Sequence, residues 1–197
     1  MWKSNFLGDV MKIERGGSPR PIKDYLTQGA GVNWIKIGDT KQGDKYIVST
    51  KEKIKESGIK RSRYVKSGDF LLSNSMSFGR PYILKIDGCI HDGWLVLSDY
   101  QREFNQDYLY YLLSSEIIKK EFQKSARGST VQNLNIGIVS KVKVSYPSIP
   151  MQVKIVKSIE STFLQIDEAI KLNQTLISNY FDLKSAFLAK KLNSQSE

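Results

Sequence analysis

Several classes of protein are excluded by what this 197-residue chain has little of. With one cysteine, Cys89, it cannot build an internal disulfide framework, which fits a reducing, cytoplasmic location. With one histidine, His91, it has no cluster of Cys and His of the kind that holds zinc. No apolar run approaches about 18 residues, so no membrane-spanning helix is predicted.

Common catalytic motifs are missing as well. The phosphate-binding patterns GxGxxG and GxxxxGK[ST] do not occur, and neither does the GxSxG motif of serine hydrolases. His91 stands beside Asp92 near a predicted turn, which is more typical of a structural histidine than of a catalytic one. Asp87 and Asp92 could in principle bind a metal, but turn chemistry explains both more simply. We therefore expect no catalytic residue, no cofactor and no metal site.

The net charge of +10 lies almost wholly in residues 1–150. That segment carries 24 Lys and Arg against 15 Asp and Glu, whereas residues 151–197 carry 6 against 5. A basic globular domain suggests a polyanionic partner, most often a nucleic acid. The alternative is that the charge serves solubility alone.

Residues 150–192 have the pattern of one long helix. Their apolar side chains recur at alternating steps of three and four, as in a helix that packs against another long helix. This stripe, here called the seam, contains Ile159, Phe163, Ile166, Ile170, Ile177, Tyr180 and Phe187, with Asn173 and Lys184 at its polar positions. About 43 residues at 1.5 Å each give a helix of about 65 Å. Either the seam pairs with another chain or segment, or the helix lies across its own domain.

Before this helix the chain alternates short strands with loops. Strands are predicted at 34–37, 46–48, 70–72, 82–86 and 94–97, where mainly apolar runs are bounded by turn residues, and at 141–146, where polar and apolar residues alternate. Residues 105–124 have helical periodicity, and the basic segment 51–66 is predicted as a short helix and a loop. The fold class is therefore α+β, with a strand-rich domain at 1–148, one long coiled-coil-type helix at 149–192 and a polar tail at 193–197.

Three polar loops, at 18–20, 73–80 and 127–133, combine arginine with small hydrogen-bonding side chains that can contact phosphates or base edges. The candidates for DNA contact are Ser18, Arg20, Ser75, Ser77, Arg80, Arg127, Ser129 and Thr130. Four cations of segment 51–66 are candidates for phosphate contact, namely Lys55, Lys60, Arg61 and Arg63. Each loop could instead be an ordinary polar connection.

Four stretches, in this order and spacing, resemble the specificity subunits of type I restriction–modification systems. LGDV at 7–10 with GGSP at 16–19 is similar to that family's opening LGD-(V/I) … GG-(T/S)-P. WIKIGD at 34–39 and GDFLLS at 68–73 resemble two of its strands. GSTVQNL at 128–134, leading to YPSIP at 146–150, resembles the stretch before its long helix, although it could equally be a packing motif.

The resemblance implies a non-catalytic DNA-binding subunit. In this family each target-recognition domain reads one half of a split double-stranded DNA target, and paired antiparallel helices set the distance between the halves. Methyltransferase subunits dock on the helices, and restriction subunits join that assembly. A full-length member resembles two such units in tandem, whereas this chain resembles one, which could restore the architecture as a homodimer.

Two details of the helix bear on that implication. In an antiparallel homodimer Asn173 could lie near its symmetry mate, and one buried Asn can fix the register of two helices. The family's PPLxEQ stretch reads here SIPMQ at 148–152, so Gln152 and one proline match but the Glu is missing. The exact start of the helix is therefore less firmly predicted than the rest of it.

Two other functions stay open. The chain could be the recognition region of a single-chain restriction and methylation enzyme, although it carries no recognisable methyltransferase or nuclease motif. It could also be an interaction module whose helix binds a partner protein and whose positive charge is incidental. Neither the target bases nor the choice between a homodimer and a pair of different halves follows from the sequence.

Overall fold

A computed structural model describes residues 1–41, 43–74, 78–126 and 133–193. It divides the chain into two compact units, Met1–Val153 and Lys154–Glu197. The strands of the described part are β1 (Lys3–Phe6), β2 (Lys12–Arg15), β3 (Leu26–Thr27), β4 (Val32–Ile35), β5 (Tyr46–Ile47), β6 (Glu52–Ile54), β7 (Arg63–Val65), β8 (Phe70–Ser73), β9 (Pro81–Leu84), β10 (Gly88–Ile90), β11 (Trp94–Ser98) and β12 (Lys143–Tyr146). The α-helices are α1 (Leu7–Val10), α2 (Gln106–Ser114), α3 (Glu116–Ala126), α4 (Ile136–Ser140) and α5 (Ile149–Asn193), and short 3-10 helices cover Ile22–Asp24, Ile37–Asp39 and Glu56–Arg61.

Ten of the strands form two five-stranded sheets. The first has the order β2-β11-β8-β9-β5 and the second the order β3-β6-β4-β10-β7. Neighbours are antiparallel in both sheets, except that β5 is parallel to β9 and β4 is parallel to β10. The remaining two strands, β1 and β12, pair with each other in antiparallel register, Lys3 opposite Tyr146 and Phe6 opposite Lys143.

The main core lies between the two sheets. The first sheet contributes Leu71, Tyr82, Leu84, Trp94 and Val96, and the second contributes Ile35, Val65 and Ile90. Successive side chains of a strand point to opposite faces, so the neighbours of Ile35 and Ile90 point away from this core. Those neighbours, Trp34 and Cys89, are buried in a second cluster with Ile54. Both faces of the second sheet are thus covered.

The predicted α+β class and long C-terminal helix are confirmed, but two local predictions were wrong. Segment 51–66 is not a helix and a loop: it contains β6, a 3-10 helix and β7. The alternation around Ile54, which is buried between exposed Lys53 and Lys55, is the pattern of a strand whose cations face solvent.

The helix predicted at 105–124 is two helices, α2 and α3. They are separated at Ser115, whose hydroxyl donates to the Leu112 carbonyl at 2.7 Å and lies 3.4 Å from the Ile118 N–H. A serine that bonds local backbone in this way competes with helical hydrogen bonds. After the break Ile118 is buried, whereas Ile117 is 74% exposed.

Helix α5 runs unbroken from Ile149 to Asn193, 45 residues, which corresponds to about 67 Å. Pro150 falls in its first turn, where a missing N–H costs no intrahelical hydrogen bond. From residue 160 to residue 193 every side chain is exposed. No helix in the described part of the chain is both long and apolar enough to span a membrane. The assignment of 1–148, 149–192 and 193–197 to separate functional domains stays a prediction, and residues 194–197 lie outside the described part.

Candidate nucleic-acid interface

The short segment 91–93, between β10 and β11, is where three parts of the chain meet. Asp92 is at its centre. The Ser18 hydroxyl donates to Asp92 Oδ1 at 2.7 Å. The Asp92 carbonyl oxygen accepts from Arg15 Nε at 3.1 Å and from Asn74 Nδ2 at 2.8 Å. The Arg20 guanidinium stands 3.9 Å from Asp92 Oδ2. Asp92 therefore ties the end of β2 and the loop after it to the residue that follows β8.

The charge of Asp92 is balanced by its neighbours. The hydrogen bond from Ser18 is the main reason why the pKa of this carboxyl lies below its ordinary value of 3.8, and Arg15 contributes in the same direction. Asp92 is thus a carboxylate at neutral pH. A lone carboxylate would repel phosphate, but here Arg15 and Arg20 lie beside it and keep the local surface from being anionic.

Asn74 connects the third part of the chain to the same segment. Its side chain is almost fully buried. The Asn74 N–H donates to the Gly93 carbonyl at 3.0 Å, and the Asn74 carbonyl accepts from the Leu134 N–H at 2.8 Å. Asn74, which precedes residues 75–77, and Leu134, which follows the 127–133 loop, are therefore bonded to each other. Asn74 is also bonded to segment 91–93.

Gly16 allows β2 to end against this segment. The Gly16 N–H donates to the Trp94 carbonyl at 2.9 Å, and the Gly17 N–H donates to the Ile90 carbonyl at 3.1 Å. A Cβ atom on Gly16 would lie 2.0 Å from the His91 carbonyl oxygen, so any other residue would force the backbone apart. This close approach explains the glycine in the GGSP stretch without a ligand.

His91 is enclosed by backbone donors. The Ile37 N–H lies 3.1 Å from His91 Nε2, and the Gly93 N–H lies 2.6 Å from His91 Nδ1. A neutral imidazole can accept at only one of these nitrogens, and an imidazolium at neither. Burial also lowers the pKa of His91 below 6.5. These contacts support a structural role for the neutral ring.

The basic segment 51–66 lies against the loop that carries Ser18 and Arg20. A Cβ atom on Gly17 would lie 3.2 Å from the Arg61 carbonyl, and one on Gly58 would lie 3.5 Å from Pro19 Cγ. The structure thus brings two separately predicted sets of residues together. The name Asp92 surface is used below for Arg15, Ser18, Arg20, Lys55, Lys60, Arg61, Arg63, Asn74 and Asp92.

Most of the cations on this surface already have a partner within the chain. Arg63 pairs with Glu14 at 3.2 Å. Lys55 Nζ donates to the Asp24 carbonyl at 2.7 Å, and the Arg61 guanidinium lies 5.7 Å from the centre of a tyrosine ring. Lys60 is exposed and forms no ion pair within the described residues. All four side chains reach solvent, so a phosphate could bind beside or in place of these partners.

A cavity of about 320 Å³ opens beside Arg20. Pro19, Ile22 and Trp34 line it with apolar atoms, and Lys36 lies with Arg20 among its polar lining residues. Apolar groups of this kind can contact the methyl group of thymine, and cations can contact phosphate. Lys36 is already paired with Glu52 at 2.8 Å.

Not every predicted residue lies on the Asp92 surface. Arg80 lines a different cavity, of about 330 Å³, together with Tyr110 and Lys119. The neighbouring Gly79 has a φ of +73° and packs against Phe122, so its backbone freedom serves internal packing. The predicted candidates Ser75, Ser77, Arg127, Ser129 and Thr130 lie outside the described residues.

Four polar residues of this region were not among the predicted site residues, and Asp92 itself is one of them. Arg15 and Asn74 bond Asp92, and Asn133 lines a cavity with both of them. Asn74 and Asn133 fall inside two of the predicted loops, so their positions in those loops were a signal. Arg15 stands at the end of a strand that the sequence pattern did not reveal, and nothing local marks it.

The seam residues of α5 that were predicted to meet a partner are largely exposed. Phe163, Ile166, Ile170, Ile177, Tyr180 and Phe187 have exposed fractions between 48% and 69%. Ile159 is half-buried. Asn173 donates from Nδ2 to the Ala169 carbonyl of its own helix at 2.8 Å. An apolar stripe of this length is large for a surface that faces water.

Comparison with known proteins gives a consistent result. Residues 1–178 match the family model of the type I restriction modification DNA specificity domain. The specificity subunit of the type I restriction enzyme MjaIX from Methanocaldococcus jannaschii is 25% identical over 158 residues, which cover 78% of this chain and 36% of that subunit.

Solved structures agree on the fold. The HsdS subunit from Thermoanaerobacter tengcongensis matches with a TM-score of 0.65 and 21% identity, over 84% of this chain and 38% of that one. A structure described as the basis of complex assembly and conformational transition of the type I R-M system matches with a TM-score of 0.67 and 22% identity, over 84% and 39%. This chain therefore spans less than half the length of these relatives. Because the family model covers most of its residues and the fold agrees, the chain belongs to the family of type I restriction modification DNA specificity domains.

Proposed function

We propose that this chain is the sequence-specificity subunit, or half-subunit, of a type I restriction–modification system. It reads one half of a split double-stranded DNA target in the cytoplasm and directs methyltransferase and restriction subunits to it. It acts as a homodimer through α5 and has no catalytic activity of its own. Membership of the family of DNA specificity domains supports a role in DNA recognition.

The observation that carries the DNA-binding proposal is the Asp92 surface. Ser18 and Asn74 are both bonded to Asp92, and Leu134, just after the 127–133 loop, is bonded to Asn74. The basic stretch 55–63 lies against the loop that carries Ser18. Direct base readout needs polar side chains held at fixed positions, and orientation on the duplex needs cations beside them. Ser18 is a partly exposed polar side chain with exposed cations beside it, and the buried Asn74 fixes the segment to which Ser18 is bonded, which supports the proposal.

The homodimer proposal rests on α5. Its seam is apolar and half exposed over more than twenty residues, so covering it with a second helix would remove much apolar surface from water. A second copy of the chain supplies a helix of the same length, and a two-fold pair would provide the two recognition domains that a split target requires.

Two rival functions make different predictions. The first rival is the recognition region of a single-chain restriction and methylation enzyme, which would carry its own methyltransferase and nuclease domains and would need no separate methyltransferase subunit. The relatives do not favour it, because they are specificity subunits more than twice as long as this chain. An interaction module with incidental charge would bind DNA without sequence preference.

Salt dependence of DNA binding separates the specific from the incidental case. Affinity for a target duplex and for a scrambled duplex is measured by fluorescence anisotropy, with the cognate methyltransferase subunit present, at several salt concentrations. For electrostatic binding, the logarithm of the binding constant falls linearly with the logarithm of the salt concentration, with a slope of about 0.9 for each phosphate contacted. The proposal predicts that the preference for the target survives as salt rises, and equal affinities at every salt concentration would reject it.

A pair of lysine variants locates the contact. Lys60→Ala is expected to weaken binding to both duplexes and to reduce the salt slope by about 0.9. The matched control is Lys190→Ala, which removes an exposed lysine from the distal part of α5 and should leave the slope unchanged. Equal effects of the two variants would place the DNA elsewhere than on the Asp92 surface.

A further inference from the structure

The seam of α5 restricts the register in which two copies of this helix can pair. We infer that two α5 helices pack antiparallel about a two-fold axis level with Thr175, so that Phe163 of one copy contacts Phe187 of the second. This register rests on the proposed homodimer and specifies it. It follows from the spacing of the seam and the exposure of its members, and one pair of opposite charges is compatible with it.

Spacing restricts the axis to a few positions. The seam advances by alternating steps of three and four residues, and an antiparallel copy runs through the same steps in reverse. The seam residues of the two helices lie opposite each other only when the two-fold axis lies midway between two successive seam residues. Near the middle of the helix this allows four levels: at residue 168, midway between residues 171 and 172, at Thr175, or midway between residues 178 and 179.

Exposure selects among these levels. The seam position before Ile159 is Val156, which is only 6% exposed and has no surface left for a partner helix. An axis midway between residues 171 and 172 would set Phe187 opposite Val156 and leave the phenyl ring, 59% exposed, without an accessible partner. An axis at residue 168 would do the same to Tyr180, 69% exposed, by setting it opposite Val156.

The level between residues 178 and 179 fails for two other reasons. It would set the two polar seam residues, Asn173 and Lys184, opposite each other. It would also leave Phe163, 50% exposed, with no seam residue opposite it.

An axis at Thr175 gives each exposed seam residue from Phe163 to Phe187 an exposed counterpart. Its layers are Phe163 with Phe187, Ile166 with Lys184, Ile170 with Tyr180, and Asn173 with Ile177, each pair occurring twice by symmetry. Aromatic rings in contact contribute beyond the area that they bury. Each of the two polar seam residues lies opposite an isoleucine in this register, so no two of them face each other.

Charge is compatible with this register and disfavours the level between residues 178 and 179, where Lys184 would lie opposite Asn173. It does not separate the register from the level one heptad away, between residues 171 and 172, in which Lys184 lies opposite Ile159 and next to Glu160. Lys184 lies opposite Ile166 of the second copy, and the residue after Ile166 is Asp167, which is exposed. A lysine can lay its aliphatic stem over an apolar neighbour and place its ammonium group beside a carboxylate. The Lys184 side chain can therefore cover Ile166 and reach Asp167 of the second copy.

The register has a functional consequence. A shift by one heptad, to the axis between residues 171 and 172, displaces one helix along the other by about 10.5 Å, from seven residues at 1.5 Å. At about 3.4 Å per base pair this corresponds to about three base pairs of spacer between the half-sites. The seam would thus contribute to which spacer length is recognised.

Cysteine cross-linking in the full-length chain tests the register. The native Cys89 is fully buried, so introduced cysteines are the accessible ones. Phe163→Cys/Phe187→Cys places two cysteines in one layer of the inferred register, and Phe163→Cys/Tyr180→Cys places them in one layer of the register shifted by a heptad. Each variant is treated with a bismaleimide that spans the separation of about 8–10 Å between packed helices. Circular dichroism first confirms that each variant is folded.

The molecular mass of the untreated chain is measured before cross-linking, so that failure of the homodimer is distinguished from failure of the register. A dimer in which Phe163→Cys/Phe187→Cys cross-links several times faster than the other variant supports the inference. A dimer with the reverse order, with equal rates or with no cross-link in either variant overturns the register and leaves the homodimer standing. A monomer overturns both. A second pair of variants, Ile170→Cys/Tyr180→Cys against Ile170→Cys/Asn173→Cys, repeats the comparison nearer the axis.

Discussion

Gln152 provides a quantitative test of how the first turn of α5 is held. Its side chain is fully buried. Oε1 accepts from the Asn105 N–H at 2.8 Å, while Nε2 donates to the Glu103 carbonyl at 2.8 Å and to the Pro147 carbonyl at 2.9 Å. All three partners are backbone groups of the unit Met1–Val153. This glutamine is also one of the two residues of the PPLxEQ stretch that the chain shares with the family it resembles.

Replacing it by methionine, Gln152→Met, preserves the size of the side chain and removes every hydrogen bond. Three backbone groups then lose their partner in a buried place, at about 1–3 kcal/mol each if none is reached by water. Allowing for partial relaxation, we expect a loss of about 3–5 kcal/mol in the free energy of unfolding. At about 2–4 °C per kcal/mol for a chain of this size, the midpoint of thermal unfolding should fall by about 10 °C.

Thermal unfolding followed by circular dichroism measures this. The control is Gln165→Met, the same change at an exposed position of the same helix. Gln152→Glu is expected to be at least as damaging, because its carboxylate would face the carbonyl oxygens of Glu103 and Pro147. If Gln152→Met unfolded within about 1 °C of the control, its three hydrogen bonds would contribute no net stability and the reasoning would be refuted.

Two further predictions concern pH. The pKa of His91 is lowered by burial, so the unfolded chain binds a proton more readily, and the free energy of unfolding should decrease as pH falls through 6.5. In urea titrations, His91→Gln should flatten the pH dependence of the free energy of unfolding between about pH 7.5 and 5.5. The only imidazole signal in the proton NMR spectrum of the parent chain should titrate below pH 6.5. Titration of this signal at the ordinary pH would contradict the enclosed ring. The pKa of Asp92 is also lowered, chiefly by Ser18, so its contribution is present above pH 3.8 and is lost as pH falls below that value. Ser18→Ala should therefore lower the free energy of unfolding by about 1 kcal/mol at neutral pH, a modest value because half of the Asp92 side chain is exposed. The difference in this free energy from the parent chain should shrink below pH 3.8. A difference independent of pH would show that the hydroxyl does not act through the carboxylate.

Sequence reasoning succeeded where the signal is local. The seam of α5 repeats within a few residues, so its helix could be predicted from periodicity alone. Strands β8 and β11 contain continuous apolar runs of three and four residues and were recognised in the same way. Strands β1, β2, β3 and β10 have mixed polarity or two to four residues, and they are strands because of their partners across the sheet, which no local pattern encodes.

The candidate site was only partly predictable for the same reason. Ser18 and Asp92 are 74 positions apart in the chain, and Asn74 and Asp92 are 18 apart, so their hydrogen bonds follow from the pairing of β11 with β2 and β8. Residue type and loop position indicated Ser18 and Arg20 but also Arg80, which lines another cavity. Arg15 emerges only once the sheet is assembled, whereas Asn74 lies inside a predicted loop.

The proposed function is tested most directly by selecting duplexes from random DNA with the purified chain and its cognate methyltransferase subunit, at about physiological salt. The account predicts enrichment of a split site whose two halves are inverted copies, because one recognition domain is used twice by a two-fold dimer. An asymmetric split site would mean that a second, different half-unit takes part and would contradict the homodimer. No enrichment, with the methyltransferase subunit bound, would contradict sequence-specific recognition itself.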